Sequence, residues 1–248
     1  MNDVAPLPDM TDLARVRAEL GRFMLNRQFA INEVMTKLTI LRTEFEHLHD
    51  YSPIDHVGSR LKTPEGIIAK ARQRGVALDL TTLGEEIRDI AGIRVVCSFI
   101  SDAYWVAEML TKQSDITLVE VKDYIAEPKE NGYKSLHLII KVPVFLSESV
   151  EDVIVEVQLR TVAMDFWASL EHKIYYKYDQ EVPARLQQEL TDAARDANRL
   201  DETMERLHNE VRAIPRRTTA TDAPASVIRD LLDANRTDRA ETREPPAA

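Results

Sequence analysis

Two long apolar repeats of helical period bracket a stretch whose period is that of β-strands. This switch restricts the chain to folds in which helices pack on a sheet. Near the N-terminal end Leu13, Val16, Leu20 and Phe23, then Ile31, Val34, Leu38, Leu41, Phe45 and Leu48, recur at three- and four-residue steps. They form one face of a single long helix, or of a helical pair broken between Gly21 and Arg27. At the far end Leu186, Leu190, Ala193, Ala197, Leu200, Met204, Leu207, Val211 and Ile214 step alternately by four and three, the heptad seam of a helix lying along another. Packing of that seam onto the chain's own domain is the first expectation; a seam between copies is the alternative.

Between these repeats Thr82-Leu-Gly-Glu85 reads as a capping box opening a short helix that ends near Gly92. Residues 93–99 are β-branched and short, a strand, and Ser101 then caps a helix through Tyr104, Trp105 and Leu110. Residues 117–125, 136–144 and 153–159 alternate and are bounded by turn-forming residues. A helix over 162–178 follows. The expected architecture is α/β (α+β): a mixed sheet of about four strands flanked by long N- and C-terminal helices. The expected organisation is a helical region over 1–54, a central domain over 55–180, a C-terminal helix over 181–214 and a tail without stable structure over 215–248.

Composition narrows the partners. Lys and Arg number 32 against 42 Asp and Glu, a formal charge of −10, which argues against a general DNA or anionic-membrane binder. The single cysteine, Cys97, excludes a disulfide framework and a cysteine-built zinc site. No basic n-region followed by an apolar run opens the chain, and no stretch approaches the roughly 18 apolar residues of a membrane span. A cytoplasmic chain is expected.

Three stretches carry chemistry. Residues 58–75 hold Arg60, Lys62, Lys70, Arg72 and Arg74 against Glu65 alone. Thr63-Pro64 starts a helix there, so Arg60 and Lys62 precede a helix N-terminus, whose free N–H groups favour anions. A solvated basic helix is the plainer alternative. In the strand over 153–160, Val153, Val155, Val157 and Leu159 share one face, and Glu156, Gln158 and Arg160 the other. A carboxylate on an apolar strand needs a cation, a metal or a hydrogen bond. Asp89 is a candidate second carboxylate, and the pair would suit magnesium; a Glu156–Arg94 ion pair is the alternative. The turn-rich stretch from Val121 to His137 brings Lys129, Tyr133, Lys134 and His137 together, a set suited to a stacked base and its phosphates. His47 and His49, two apart on a helix, do not face each other and make no metal pair.

Together, His56-Val-Gly-Ser-Arg-Leu-Lys62, Asp89-Ile-Ala-Gly-Ile-Arg-Val95, Asp123-Tyr-Ile with Pro-Lys and Asn131-Gly-Tyr-Lys-Ser-Leu-His137, and Glu156-Val-Gln-Leu-Arg-Thr161 with Trp167-Ala-Ser-Leu-Glu-His-Lys173 resemble the synthetase domain of the RelA/SpoT family. The resemblance covers 55–177, and no segment resembles the family's hydrolase or regulatory domains. It implies a nucleotidyltransferase-like fold and a stand-alone GTP pyrophosphokinase, which moves the β,γ-pyrophosphate of ATP to the 3′-oxygen of GTP or GDP. Under this resemblance Arg60, Lys62 and Lys70, with Arg72 or Arg74, would hold the ATP phosphates, and Arg94 with Arg60 would stack on adenine. Asp89 and Glu156 would bind Mg2+, and Glu156 would also accept the proton of the attacking hydroxyl. Lys122, Lys129, Tyr133, His137 and Gln158 would form the GTP side, Tyr133 stacking on guanine. Asp165 stands where an asparagine is expected, and a contact with guanine or a neighbouring cation suits it better than one with phosphate. The resemblance further implies a homotetramer, with product alarmone as a possible allosteric ligand. The rival expectations are a catalytically impaired nucleotide sensor and a pyrophosphotransferase acting on another nucleotide or on a tRNA 3′ end.

Overall fold

A computed structural model describes residues 10–49, 51–176 and 183–214. The chain order is α1 (Met10–Leu48), β1 (Ile54–Leu61), α2 (Pro64–Arg74), α3 (Leu80–Glu86), β2 (Ala91–Cys97), α4 (Ile100–Thr111), β3 (Thr117–Asp123), β4 (Leu136–Phe145), β5 (Val150–Thr161), α5 (Val162–Tyr176) and α6 (Ala184–Ala213). The strands form one mixed sheet in the order β1-β2-β5-β4-β3, with only β2 and β5 parallel. The expected α/β architecture is therefore present with five strands. The strand not anticipated is β1, an edge strand whose only buried residue is Ile54, so its sequence lacks the apolar alternation that marks strands.

The alternation in β5 sets the sheet's two faces. Val153, Val155, Val157 and Leu159 are buried with Leu136, Leu138 and Ile140 of β4 and Ile93, Val95 and Cys97 of β2. Ala30, Ile31, Val34 and Leu38 of α1 and Ala103, Val106 and Leu110 of α4 cover this face. Each such side chain stabilises the fold by about 1.5–3 kcal/mol on burial. The Gly21–Arg27 stretch does not interrupt the helix: α1 is one rod, and its apolar stripe outruns the core, leaving Leu13 and Val16 exposed. A second cluster of Phe23, Ile67, Ala71, Leu83, Ile87 and Ile90 fixes α2 and α3.

Local signals set the helix ends, some differently from expectation. Thr63 caps α2 as expected, its hydroxyl accepting from Gly66 N at 3.2 Å with Pro64 in the first turn. Asp79, not Thr82, caps α3, accepting from Thr82 N at 2.9 Å, and the helix ends at Glu86 rather than near Gly92. The cap of α4 is Phe99, not Ser101, and Asp102 reaches back to Phe99 N at 3.1 Å. In both cases a carboxylate offered a better acceptor than the hydroxyl.

The chain divides into two compact units, Met1–His208 and Asn209–Ala248, and the sheet with all it positions lies in the first. Of the second unit the described residues are the last turn of α6, and the tail over 215–248 lies outside the described residues. The first expectation for the heptad seam holds only in its first half. Leu186, Leu190 and Ala197 are partly buried, Ala197 against the Trp167–Ala168–Ala194 cluster, whereas Leu200, Met204 and Leu207 are exposed, and there the face of α6 that meets the domain carries Asp201, Glu205 and His208. Thr161 Oγ1 donates to Asp201 Oδ2 at 2.7 Å, Ser101 N to Glu205 Oε2 at 3.2 Å, and the His208 ring stacks on Phe99 with centroids 4.0 Å apart. Small and polar residues win this contact because α6 docks on strand and helix ends that still need hydrogen-bond partners.

Candidate active site

The face of the sheet opposite α1 is polar from edge to edge. Strand register aligns Gly58 of β1, Arg94 of β2, Gln158 of β5, His137 of β4 and Lys122 of β3 in one row. The adjacent row runs Arg60, Gly92, Glu156, Ile139 and Glu120. Paired residues point to the same side, so period-two alternation alone delivers these side chains to one surface. Over it lies a cleft of about 720 Å³, lined by Arg60, Asp89, Arg94, Tyr133, Glu156 and Gln158 among others. A cleft of that size takes a ligand as large as a nucleotide.

Two carboxylates lie at its floor. Asp89, in the turn before β2, receives Lys70 Nζ at 2.6 Å and Lys62 Nζ at 2.9 Å on its Oδ2. Its Oδ1 is buried without a hydrogen-bond partner. Burial works to raise the Asp89 carboxyl, but the hydrogen bonds and charges of Lys70 and Lys62 outweigh it, and the group lies below the ordinary carboxylate value. Glu156 accepts from His137 Nδ1 at 3.3 Å on Oε1 and from Gln158 Nε2 at 2.8 Å on Oε2. Burial pushes it up, but His137 and then Gln158 bring it below the ordinary value, while the charge of Asp89 opposes them. The alternative Glu156–Arg94 pair does not form. Arg94 Nη1 instead meets Asp165 Oδ1 at 3.2 Å, and Arg160 Nη1 reaches the same oxygen at 3.2 Å. Asp165 thus contacts neighbouring cations, as its charge requires.

The loop between β3 and β4 closes one end. Lys129 Nζ stands 4.7 Å from the centroid of the Tyr124 ring and 4.9 Å from that of Tyr133. Tyr133 Oη meets His137 Nε2 at 2.8 Å. Asn131 donates to Glu171 Oε1 of α5 at 3.3 Å, so α5 holds the loop from above. Gly132 turns with φ 86°, and a Cβ there would lie 2.5 Å from Ala194 Cβ of α6. Gly132→Val therefore meets both a backbone penalty and a clash. We expect the substitution to unseat the loop from α6 and lower the melting temperature by several degrees, measured by thermal denaturation.

The structure brings together Arg60, Asp89, Arg94, Tyr133, Glu156 and Gln158 in the cleft, with Lys62, Lys70, His137 and Asp165 bonded to its walls. Lys129 sits on the loop, and Lys122 is held by Glu120 at 3.5 Å, itself paired with Arg88. Arg72 and Arg74 are exposed on α2; Arg74, four residues on from Lys70, shares its face, whereas Arg72 points away. Sequence reasoning gave no role to Arg160, nor to Glu171 and His172, which line the cleft from α5. The last two, with Ala168, are spaced as one helix face, a signal available in the sequence.

These features define a class: α/β proteins with a five-stranded mixed sheet, flanking helices, and a cleft lined by cations with two carboxylates at its floor. Residues 59–181 match the model of a region found in RelA/SpoT proteins. GTP pyrophosphokinase YwaC of Bacillus subtilis is 47% identical over 202 residues, covering 82% of this chain and 96% of that protein. GTP pyrophosphokinase YjbM of the same organism is 40% identical over 190 residues, covering 77% and 89%. Among solved structures, small alarmone synthetase 1 from Bacillus subtilis bound to its product pppGpp superposes with a TM-score of 0.74 at 39% identity, covering 79% of this chain and all of that one. Small alarmone synthetase 2 from Bacillus subtilis gives 0.71 at 46% identity, covering 77% and 99%. The chain belongs to the RelA/SpoT family, among its small alarmone synthetases.

Proposed function

We propose that this chain makes (p)ppGpp by moving the β,γ-pyrophosphate of ATP to the ribose 3′-oxygen of GTP or GDP. The observation that carries this reading is a half-buried Glu156, both of its oxygens hydrogen-bonded, set between a cation-held Asp89 and an aromatic loop. The 3′-oxygen attacks the β-phosphorus, the bond from that phosphorus to the oxygen bridging it to the α-phosphate breaks, and that oxygen leaves with AMP. Glu156, whose two oxygens are oriented by His137 and Gln158, takes the hydroxyl proton. Lys62 and Lys70, with Arg74 rather than Arg72, exchange their hold on the protein for the ATP phosphates. Arg60 and Arg94 flank adenine, and Tyr133 stacks on guanine beside Lys122 and Lys129. Much of the rate then comes from aligning two mutually repelling polyphosphates.

Asp89 and Glu156 fit Mg2+, which takes one or two carboxylates and leaves further positions to phosphate oxygens. The Oδ1 of Asp89, buried and without a hydrogen-bond partner, is free to accept such a cation. Bound there, Mg2+ would neutralise charge on the triphosphate. The reading implies a cytoplasmic enzyme, where its nucleotide substrates are; no described helix is long and apolar enough to cross a membrane. Offering GTP, GDP, GMP and a tRNA 3′ end in competition tests the acceptor: the guanosine polyphosphates should take the label from ATP, and preferential labelling of tRNA would refute the reading.

The exposed Leu200, Met204 and Leu207 of α6, with Leu13 and Val16 of α1, support assembly into a homotetramer. Light scattering should give a mass four times the 28.3 kDa chain, reduced in Leu200→Glu/Leu207→Glu; a wild-type monomer at micromolar concentration would refute it. Binding of product alarmone within that assembly remains part of the proposal.

A further inference from the structure

Arg160 is 5% exposed, and every bond of its guanidinium goes to a side chain. Its Nη2 carries two hydrogens and donates both, to Tyr133 Oη at 2.7 Å and to Gln158 Oε1 at 2.8 Å. Tyr133 Oη meets His137 Nε2 at 2.8 Å, and Nδ1 meets Glu156 Oε1 at 3.3 Å; with the Tyr133 hydroxyl donating to Nε2, it is Nδ1–H that faces the carboxylate. On the other side, Gln158 Nε2 donates to Glu156 Oε2 at 2.8 Å. The two arms close into a ring that starts at one nitrogen of Arg160 and ends on the two oxygens of Glu156. Every group in the ring can play its role with one tautomer and one amide orientation.

We propose that Arg160 is a positioning residue for catalysis: through Tyr133–His137 on one side and Gln158 on the other, it fixes both oxygens of Glu156. The inference rests on the reading of Glu156 as the proton acceptor. A cation at the start of each arm polarises the donors along it toward the carboxylate. The guanidinium serves both arms from Nη2 while Nη1 holds Asp165 at 3.2 Å and Nε reaches Ser135 Oγ at 3.4 Å; a lysine has three donors, all on one nitrogen, and cannot hold these four partners together. Burying a guanidinium is costly, and an apolar side chain of similar volume would fill the space at less cost. Because Tyr133 also belongs to the acceptor loop, the same ring ties acceptor binding to the orientation of the base.

The test is steady-state kinetics of Arg160→Lys, Tyr133→Phe and the double variant, beside Glu156→Gln, with thermal melts on each. Arg160→Lys should lower kcat about 10²-fold while the KM for ATP stays within about twofold. Tyr133→Phe keeps the ring but cuts one arm; it should lower kcat by less, about tenfold. The double variant should be no slower than Arg160→Lys, since both act along one path. A folded Arg160→Lys with wild-type kcat, or losses that multiply in the double variant, would overturn the proposal. Should Arg160→Lys fail to fold, Tyr133→Phe decides alone: a lowered kcat at an unchanged KM for ATP supports the arm and an unchanged kcat overturns it. With Glu156→Gln inactive and kcat unchanged in both Arg160→Lys and Tyr133→Phe, only this proposal falls. Wild-type turnover in Glu156→Gln removes the reading beneath it as well.

Discussion

Glu156→Gln should lower kcat by about 10²–10⁴-fold while leaving the fold intact. The amide keeps the shape and can still accept on one atom, but it cannot take the proton of the 3′-hydroxyl. Its NH2 group would also face a donor from either Gln158 or His137, so the ring around it is partly broken. The KM values should change less than kcat, because the proton is taken only in the transition state, while Asp89 keeps its hold on the cations of the cleft. The pH profile follows in sign: His137 and Gln158 outweigh burial and hold the Glu156 carboxyl below its ordinary value. The base is therefore already ionised well below neutrality, and the acid limb of kcat for the wild type should lie in the acidic range, with none of the fall near pH 7 attributable to Glu156. Stopped assays across pH at saturating nucleotide measure both effects.

Asp89→Asn should be nearly as damaging, through a different route. The substitution removes the charge that Lys62 and Lys70 share and the oxygen that would hold Mg2+. We expect kcat/KM for ATP to fall about 10²–10³-fold, and the rate to need a higher Mg2+ concentration before it saturates. Stability supplies an independent check. The Asp89 carboxyl is lowered in the fold despite burial, by Lys70 and Lys62. Its contribution is thus present above the ordinary carboxylate pKa and is lost as pH falls through the lowered value. Urea midpoints of wild type and Asp89→Asn should accordingly differ at pH 7 and converge toward pH 3. A constant difference across that range would show that the ion pairs carry no stability.

Much of this was legible in the sequence, and the remainder was hidden for identifiable reasons. Alternation in β5 gave the polar face with Glu156 and Gln158, because the pleat leaves no other choice. The basic run leading into and along α2 gave Lys62 and Lys70, and Thr63-Pro64 gave the helix start. By contrast β1 escaped notice: at an edge, with His56, Gly58, Ser59 and Arg60 all exposed, it carries almost no buried residue to mark it. The heptad seam of α6 marked the contact face as far as Ala197 and lost it from Leu200 on, because apolar spacing shows that a face wants cover, not what covers it. The contact that α6 makes relies on Asp201, Glu205 and His208, whose partners lie at distant strand and helix ends. Arg160 was assigned a side of its strand and nothing more, since its partners run from Tyr133 to Asp165 and converge only in three dimensions.

The account stands or falls on the product formed. ATP carrying label in its β- and γ-phosphates, incubated with GTP and Mg2+, should yield AMP and labelled (p)ppGpp in equal amounts with the wild type, and neither with Glu156→Ala. Release of ADP in place of AMP, or no labelled guanosine product above the Glu156→Ala control, would contradict it.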